Sequence, residues 1–351
     1  MCDQSPSAAR VSALAIALAA SLWSTQAATA EECLSEYGRL ESVRVDAVSV
    51  AGSLTAIVQR ADWGERPRLR VFALGPNGLA DLGAWEPRLY ATDVALRGSI
   101  AIVAADGGLA AVDLRNPSQP VERSWIDLVD SQWLAVDGDF AYVVTTGTGG
   151  NGWFDVVDIS NPTAIEERGS LYWDRPDPWK SAIDATDGVA AIADSEGVLV
   201  IDVSDPWLPR QAGRWSREGV LDVVLAGHVA AVAIASFADP DDAGVAAVEL
   251  SDPDHPTAAG WWHAPSAVRA VARFGDKIAA GTDLDGIFVL DIDSATSPTV
   301  TEHWDANGVI IRDLAGAWPG LVAGHNEQGV TVIGLDRACL PPRRPSARLT
   351  P

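Results

Sequence analysis

The sequence predicts an all-β, seven-bladed β-propeller of four-stranded antiparallel blades, and three observations carry it. The first is a repeat. Gly197-Val-Leu-Val-Ile-Asp-Val-Ser-Asp-Pro206 returns along the chain with Asp202 as its anchor. Counterparts stand at Asp113, Asp158, Glu249 and Asp291, and weaker ones at Ala73 and Gly334. Successive spacings of 40, 45, 44, 47, 42 and 43 residues match the length of a four-stranded propeller blade. The second observation is that each unit breaks into four short β runs divided by turn residues. The third is a gap: the last unit lacks an outer strand, and Tyr37-Gly-Arg-Leu40 near the N-terminus has the phase of one.

Within a unit, an apolar stretch ending in Gly comes first, as in Asp93-Val-Ala-Leu-Arg-Gly98 or Asp222-Val-Val-Leu-Ala-Gly227. An Ala/Val/Ile run follows, such as Ile100–Ala105. The anchor strand comes third and exits through Asx-Pro-x-x-Pro, where proline fixes φ and cannot extend a ladder. The fourth run holds an aromatic: Trp85, Trp125, Trp173, Trp215, Trp262 and Trp304 are expected to fill the space between outer strands of adjacent blades. In the last unit, runs near 311–316, 320–324 and 329–335 leave one place vacant, so residues 34–40 are expected to complete that blade and close the ring.

These repeats resemble the LVIVD-repeat family of bacterial β-propellers, from about residue 40 to 336. The first and last blades depart from the pattern at Ala73 and Gly334. The resemblance implies a fold and an extracytoplasmic bacterial origin, but no common activity. A WD40 assignment is disfavoured, because no Gly-His…Trp-Asp pairing falls at the usual strand ends.

Residues 1–30 read as a signal peptide, with Arg10, an apolar Val11–Trp23 segment and the small-x-small Ala28-Thr-Ala30, so cleavage is expected near Ala30. The alternative is a buried helix. The domain then spans 31–339, and the Pro/Arg-rich 340–351 reads as a disordered tail. No apolar run of spanning length follows the N-terminal one. A formal charge of −23 repels phosphate backbones and argues against nucleic acid. A monomer, meeting a protein or glycan partner in the cell envelope or outside the cell, is expected. Two cysteines remain after cleavage, Cys33 and Cys339. In an exported chain they are expected to pair where the closing blade lacks a covalent hairpin; the alternative is two free thiols.

Loops longer than their siblings carry the candidate binding residues Trp63, Trp179, Asp239 and Asp241; packing on the blade edge is the competing reading for the tryptophans. Five inner strands start near an acid: Asp46, Asp93, Asp184, Asp222 and Asp313, with Gln132 and Arg269 elsewhere. Such channel-mouth carboxylates suit Ca²⁺, a hard cation wanting several oxygens, or else accept backbone N–H bonds from a neighbouring blade. Asp283-Leu-Asp-Gly286 and Asp239-Pro-Asp-Asp242 lack the spacing of a calcium loop, and Thr145–Gly152 lacks the Gly-Lys-Ser/Thr ending of a phosphate loop. No nucleophile elbow and no His pair for zinc is present; His263 and His325 are expected to share the upper face. No catalytic residue is assigned. The reading is a non-enzymatic binding or interaction scaffold of unknown ligand, needing no cofactor. The alternative is a Ca²⁺-dependent hydrolase or lyase at the channel mouth.

Overall fold

The computed structural model describes residues 33–41, 44–60, 67–75, 77–146, 151–174, 182–236, 242–292, 297–317, 320–325 and 329–335. These form seven four-stranded antiparallel sheets. Six are meanders in chain order. The seventh joins Ile311–Ala317, Gly320–His325 and Val330–Leu335 to Leu34–Leu40, so the N-terminal strand supplies the outer strand of blade seven. The expected closure is observed, in the register Leu34↔Leu335 to Leu40↔Val330.

The inner strands are Val45–Ala51, Ala91–Arg97, Ser131–Asp137, Ala182–Thr186, Val220–Ala226, Val268–Phe274 and Ile311–Ala317. Each touches the next, and the last touches the first, so they enclose a central channel. The end at which these strands begin is called the upper end. Each turns into its second strand through a tight hairpin. At Gly98 and Gly227 the first turn residue has φ of 61° and 62°, a conformation that glycine takes without strain and that matches the twist of the paired strands.

The two middle strands of a blade are sandwiched between neighbouring blades, which is why they are apolar on both faces. Gly108–Asp113 and Val229–Ile234 are buried throughout. Small residues dominate here, among them Ala101, Ala104, Ala110 and Ala111. Blades converge toward the axis, and only short side chains fit that taper at interior packing density. Each of the seven interfaces has its own core: Ile102, Leu109, Val143 and Ile159 join blades two and three. At the closing interface Val45, Val48, Ile57 and Phe72 of blade one meet Val322 and Val330 of blade seven.

The anchor acids hold the lower turns. Asp113, Asp158 and Asp202 accept the N–H of Arg115, Ser160 and Ser204, two residues on. Each also pairs with an arginine of the fourth strand: Arg123, Arg168 and Arg210. Those bonds hold the Asp113 and Asp202 carboxyls below the usual range and the Asp158 carboxyl at about 2. The turn itself docks on the preceding blade. A Cβ at Gly169 would meet the Pro206 carbonyl oxygen at 2.6 Å, and one at Gly213 would meet that of Pro253 at 2.6 Å. At the matching place in blade two, the Ser124 hydroxyl donates to the Pro162 carbonyl at 2.8 Å.

The repeated tryptophans pack between blades, but in two directions. Trp85, Trp215, Trp262 and Trp304 lie against the core shared with the following blade. Trp125 lies against the core shared with the preceding one, as does Trp261, which the repeat alone did not single out. The register explains this: Trp215 and Trp262 oppose Val198 and Val245, whereas Trp125 and Trp261 oppose Ala110 and Ala246, one residue further on and so on the other face. The Trp173 side chain lies outside the described residues, as do residues 1–32 and 336–351.

Candidate functional site

Inner strands carry a shared irregularity near their upper ends. In six of them, among the described residues, a β-bulge inserts one extra residue: Asp46, Thr92, Gln132, Leu221, Arg269 and Arg312. A bulge re-aims a side chain. Five of these residues (Gln132 is the exception) line a channel cavity of about 470 Å³.

The position after the bulge is where the motif acid falls. Asp93, Asp222 and Asp313 occupy it, while Ala47, Trp133 and Ala270 fill it in blades one, three and six. Asp46 therefore stands one position apart from the others, with Gln132 and Arg269. Asp184 sits two residues nearer its hairpin than Asp93 does, because it pairs with Ala191 in an unshifted register.

Four of the five acids share one bonding scheme. Asp93 accepts the N–H of Val94 at 2.7 Å with one oxygen and that of Leu134, on the next blade, at 2.8 Å with the other. Asp222 does the same with Val223 and Val271. Asp313 does so with Leu314 and Val48 across the closing interface, and Asp184 with Ala185 and Leu225. Arg273, two blades on, also reaches Asp184 at 3.3 Å. Burial raises all four carboxyls, Asp93 to about 7 and Asp313 to about 6, against the N–H bonds that favour the charge. Asp313 raises Asp93 and Asp222 further by like-charge repulsion. Asp46 instead accepts from Arg60 at 2.6 Å and from the Tyr90 hydroxyl at 3.4 Å.

The bulge ring thus holds two compensated charges and one that is not. Arg269 is paired with Asp283. Arg312, on the adjacent blade, has an exposed side chain and is, among the described residues, the arginine without a carboxylate partner or hydrogen bond. Sequence reasoning passed over Arg312; its signal was only a basic residue directly before a motif Asp.

Trp63, Trp179, Asp239 and Asp241 fall outside the described residues, so no side-chain geometry is assigned to them. Two aromatics at the upper edge of blade three were not anticipated. Trp153 and Tyr172 are opposite one another on paired strands, edge to face at 5.1 Å, and both are exposed. Beneath them Asp155 is buried beside Thr145, and burial with Glu167 nearby raises its carboxyl to about 7. His325 does stand at the upper end, opposite Ile311 where the inner strand of blade seven begins, but unlike His263 it is buried, and it bonds to the Thr331 hydroxyl at 2.7 Å. Among the described residues no group of three or more His, Cys, Asp or Glu gathers as a cation would need.

The architecture defines the class, a seven-bladed β-propeller. The repeat places it further: the LVIVD repeat model matches residues 90–127, 130–172 and 183–215, so blades two, three and four are LVIVD repeats. No curated protein matches the sequence. Among solved structures, a chain of the mitotic checkpoint complex is similar at a TM-score of 0.61 and 11% identity, over 85% of this chain and 90% of that one. The computationally designed Ika8 protein follows at 0.57 and 13%, over 86% and 99%. BamB from Moraxella catarrhalis gives 0.51 and 13%, over 84% of each chain. At these identities the likeness is one of fold.

The linked acids set a pH dependence. A carboxyl whose folded pKa lies above its unfolded value near ~3.9 contributes stability that is complete below ~4 and lost as pH rises through the folded value. For Asp93 and Asp313 that loss falls at about 7 and about 6. Asp158, held at about 2, works oppositely: its contribution is present above ~4 and lost as pH falls toward 2. Thermal melts are expected to give a lower Tm at pH 8 than at pH 5, with a second decline below pH 4. Asp93→Ala leaves the Val94 and Leu134 N–H groups without their acceptor, at a cost of about 1–3 kcal/mol. The loss in urea unfolding should be larger at pH 5 than at pH 8, where the wild-type chain also bears the penalty of a buried charge. An equal loss at both pH values would contradict the assigned burial.

Proposed function

We propose that the protein is an exported, non-enzymatic scaffold that binds a protein or glycan partner of the cell envelope, or outside the cell, through the upper face of its ring. The exposed Trp153–Tyr172 pair carries this reading. Two large aromatics held rigid on paired strands give contact area at little entropic cost, which is how interface anchors work. In sequence they lie three residues from 147–150 and 175–181, the second of which contains Trp179. The four motif acids support the reading from the other side, because their oxygens bind the blades together. That one similar chain works inside a checkpoint complex is an analogy of fold alone. The test is capture from envelope extract with the mature chain as bait, followed by titration of the purified partner. Trp153→Ala with Tyr172→Ala should weaken that partner by about tenfold or more. Trp207→Ala with Leu208→Ala, on an exposed lower turn, should leave it unchanged. If the lower pair abolishes binding and the upper pair does not, the face is misassigned.

Export places the chain where thiols oxidise, and a Cys33–Cys339 bond belongs to the same proposal. Leu34 pairs with Leu335, so Cys33 lies next to a strand end from which Cys339 is four residues away. That stretch spans at most about 14 Å, within reach of a clasp. Cys33 packs on the core between blades six and seven. A link closing nearly the whole chain is worth about 5–6 kcal/mol in the loop-entropy model. Reduction is expected to lower Tm and to speed hydrogen exchange at 34–40 and 329–335 before other blades; a Tm indifferent to reductant would remove the clasp.

A further inference from the structure

We propose that the channel mouth binds a small sugar acid, with Arg312 taking its carboxylate and the acids around the channel accepting from its hydroxyls. This site is distinct from the upper-face partner surface and does not rest on it.

The argument begins with an uncompensated charge. The chain carries −23, and every other arginine among the described residues has a bonding partner. Arg312 has none, although Asp46, Asp93, Asp184, Asp222 and Asp313 line the same cavity. Asp313, its neighbour in sequence, spends one oxygen on the Leu314 N–H and the other on the Val48 N–H. Asp46, on the next blade, is taken by Arg60, and Asp283 by Arg269. The bulge at Arg312 aims a planar, permanently charged fork into an open cavity. A guanidinium so placed matches a carboxylate bidentately.

The cavity selects what that carboxylate belongs to. At about 470 Å³ it has room for a hexose-sized molecule. Its walls hold Asp93, Asp222 and Asp313, whose oxygens each accept one backbone N–H. A carboxylate oxygen has a second lone pair, so these atoms can still accept from a hydroxyl. Thr92 and Trp133 line the same space, a hydroxyl and an aromatic body. One anionic head with a hydroxylated ring satisfies this set. A multiply charged anion such as phosphate does not, because among the described residues Arg269 and Arg273 are held by Asp283 and Asp184, which leaves one unpartnered cation to face it among several acids.

The test uses a series matched in shape, on the mature protein, by calorimetric titration. Glucuronate has both features, glucose lacks the carboxylate, cyclohexanecarboxylate lacks the hydroxyls, and inorganic phosphate has charge alone. Saturable glucuronate binding is expected, with the other three at least about tenfold weaker, which is about 1.4 kcal/mol. Arg312→Gln should reduce glucuronate to the level of glucose. Since Arg312 has no bond to lose, the variant should melt as the wild type does; should it not, Arg312→Lys, which keeps the charge without the fork, is expected to weaken glucuronate selectively. Absence of saturable glucuronate binding, binding unchanged in both variants, or equal competition by phosphate would each overturn the proposal.

Discussion

Everything in this molecule depends on blade-to-blade contact, because a ring has no spine. Each sheet is only four strands wide and cannot bury its own faces. Its middle strands become interior only when both neighbours are in place. The bond from a motif Asp to the N–H of the next inner strand is the polar part of that contact, and the separate apolar cores are the rest. One of these bonds, Asp313 to Val48, crosses the interface where the two ends of the chain meet. There the apolar part is a short set around Val45, Phe72, Val322 and Val330. The N-terminal strand adds Leu34 to the core of the preceding interface, so one terminal segment serves two junctions.

The repeat places aspartate in two settings and gives it opposite properties. At the lower turns Asp113, Asp158 and Asp202 meet arginines and N–H donors near water, and their charge is favoured. In the channel Asp93, Asp222 and Asp313 are half-buried in the cavity wall, meet N–H donors and, for Asp93 and Asp222, the charge of Asp313, and it is disfavoured. The same backbone bond is present in both places. Desolvation decides the sign, since moving a carboxylate from water costs more than two neutral donors return. The turns stay ionised and hold their arginines, while the channel carboxyls keep their protons to higher pH, Asp93 to about 7 and Asp313 to about 6.

The period, the hairpin glycines and the missing outer strand made the fold legible, because each is a local demand on residue type. Asx-Pro turns and φ-positive glycines can be read one turn at a time. Other features were not legible because they depend on register. Trp261 and Trp262 are adjacent in sequence and face different blades, which no count of residues to the anchor resolves. Asp46 looked like a fifth member of the acid set, but an extra residue in the strand shifts it to the bulge position, where Arg60 takes it. His325 looked like an open partner for His263 on the upper face and is buried at that end against Thr331. Gly169 and Gly213 read as ordinary strand residues; their role is to let the next blade's turn approach, and only packing reveals it.

The bulge is where the needs of the ring and of a site separate. Below it, each inner strand repeats what its neighbours require: a small or apolar residue, or an acid that reaches across. The bulge residue is excluded from the ladder, and of the six only Thr92, whose hydroxyl donates to the Ser131 carbonyl, is seen to bond to the next inner strand. Its identity is accordingly unconstrained by the repeat, and the set Asp46, Thr92, Gln132, Leu221, Arg269 and Arg312 has no common chemistry. A position that the architecture leaves open, repeated around the mouth of a cavity, is the place on a propeller where specificity costs least stability. Asp46 and Arg269 are there already matched by partners from their own blades. Arg312 is left at the channel mouth with a charge that no partner in the chain takes, so it is the bulge position at which a carboxylate from outside the chain would be met.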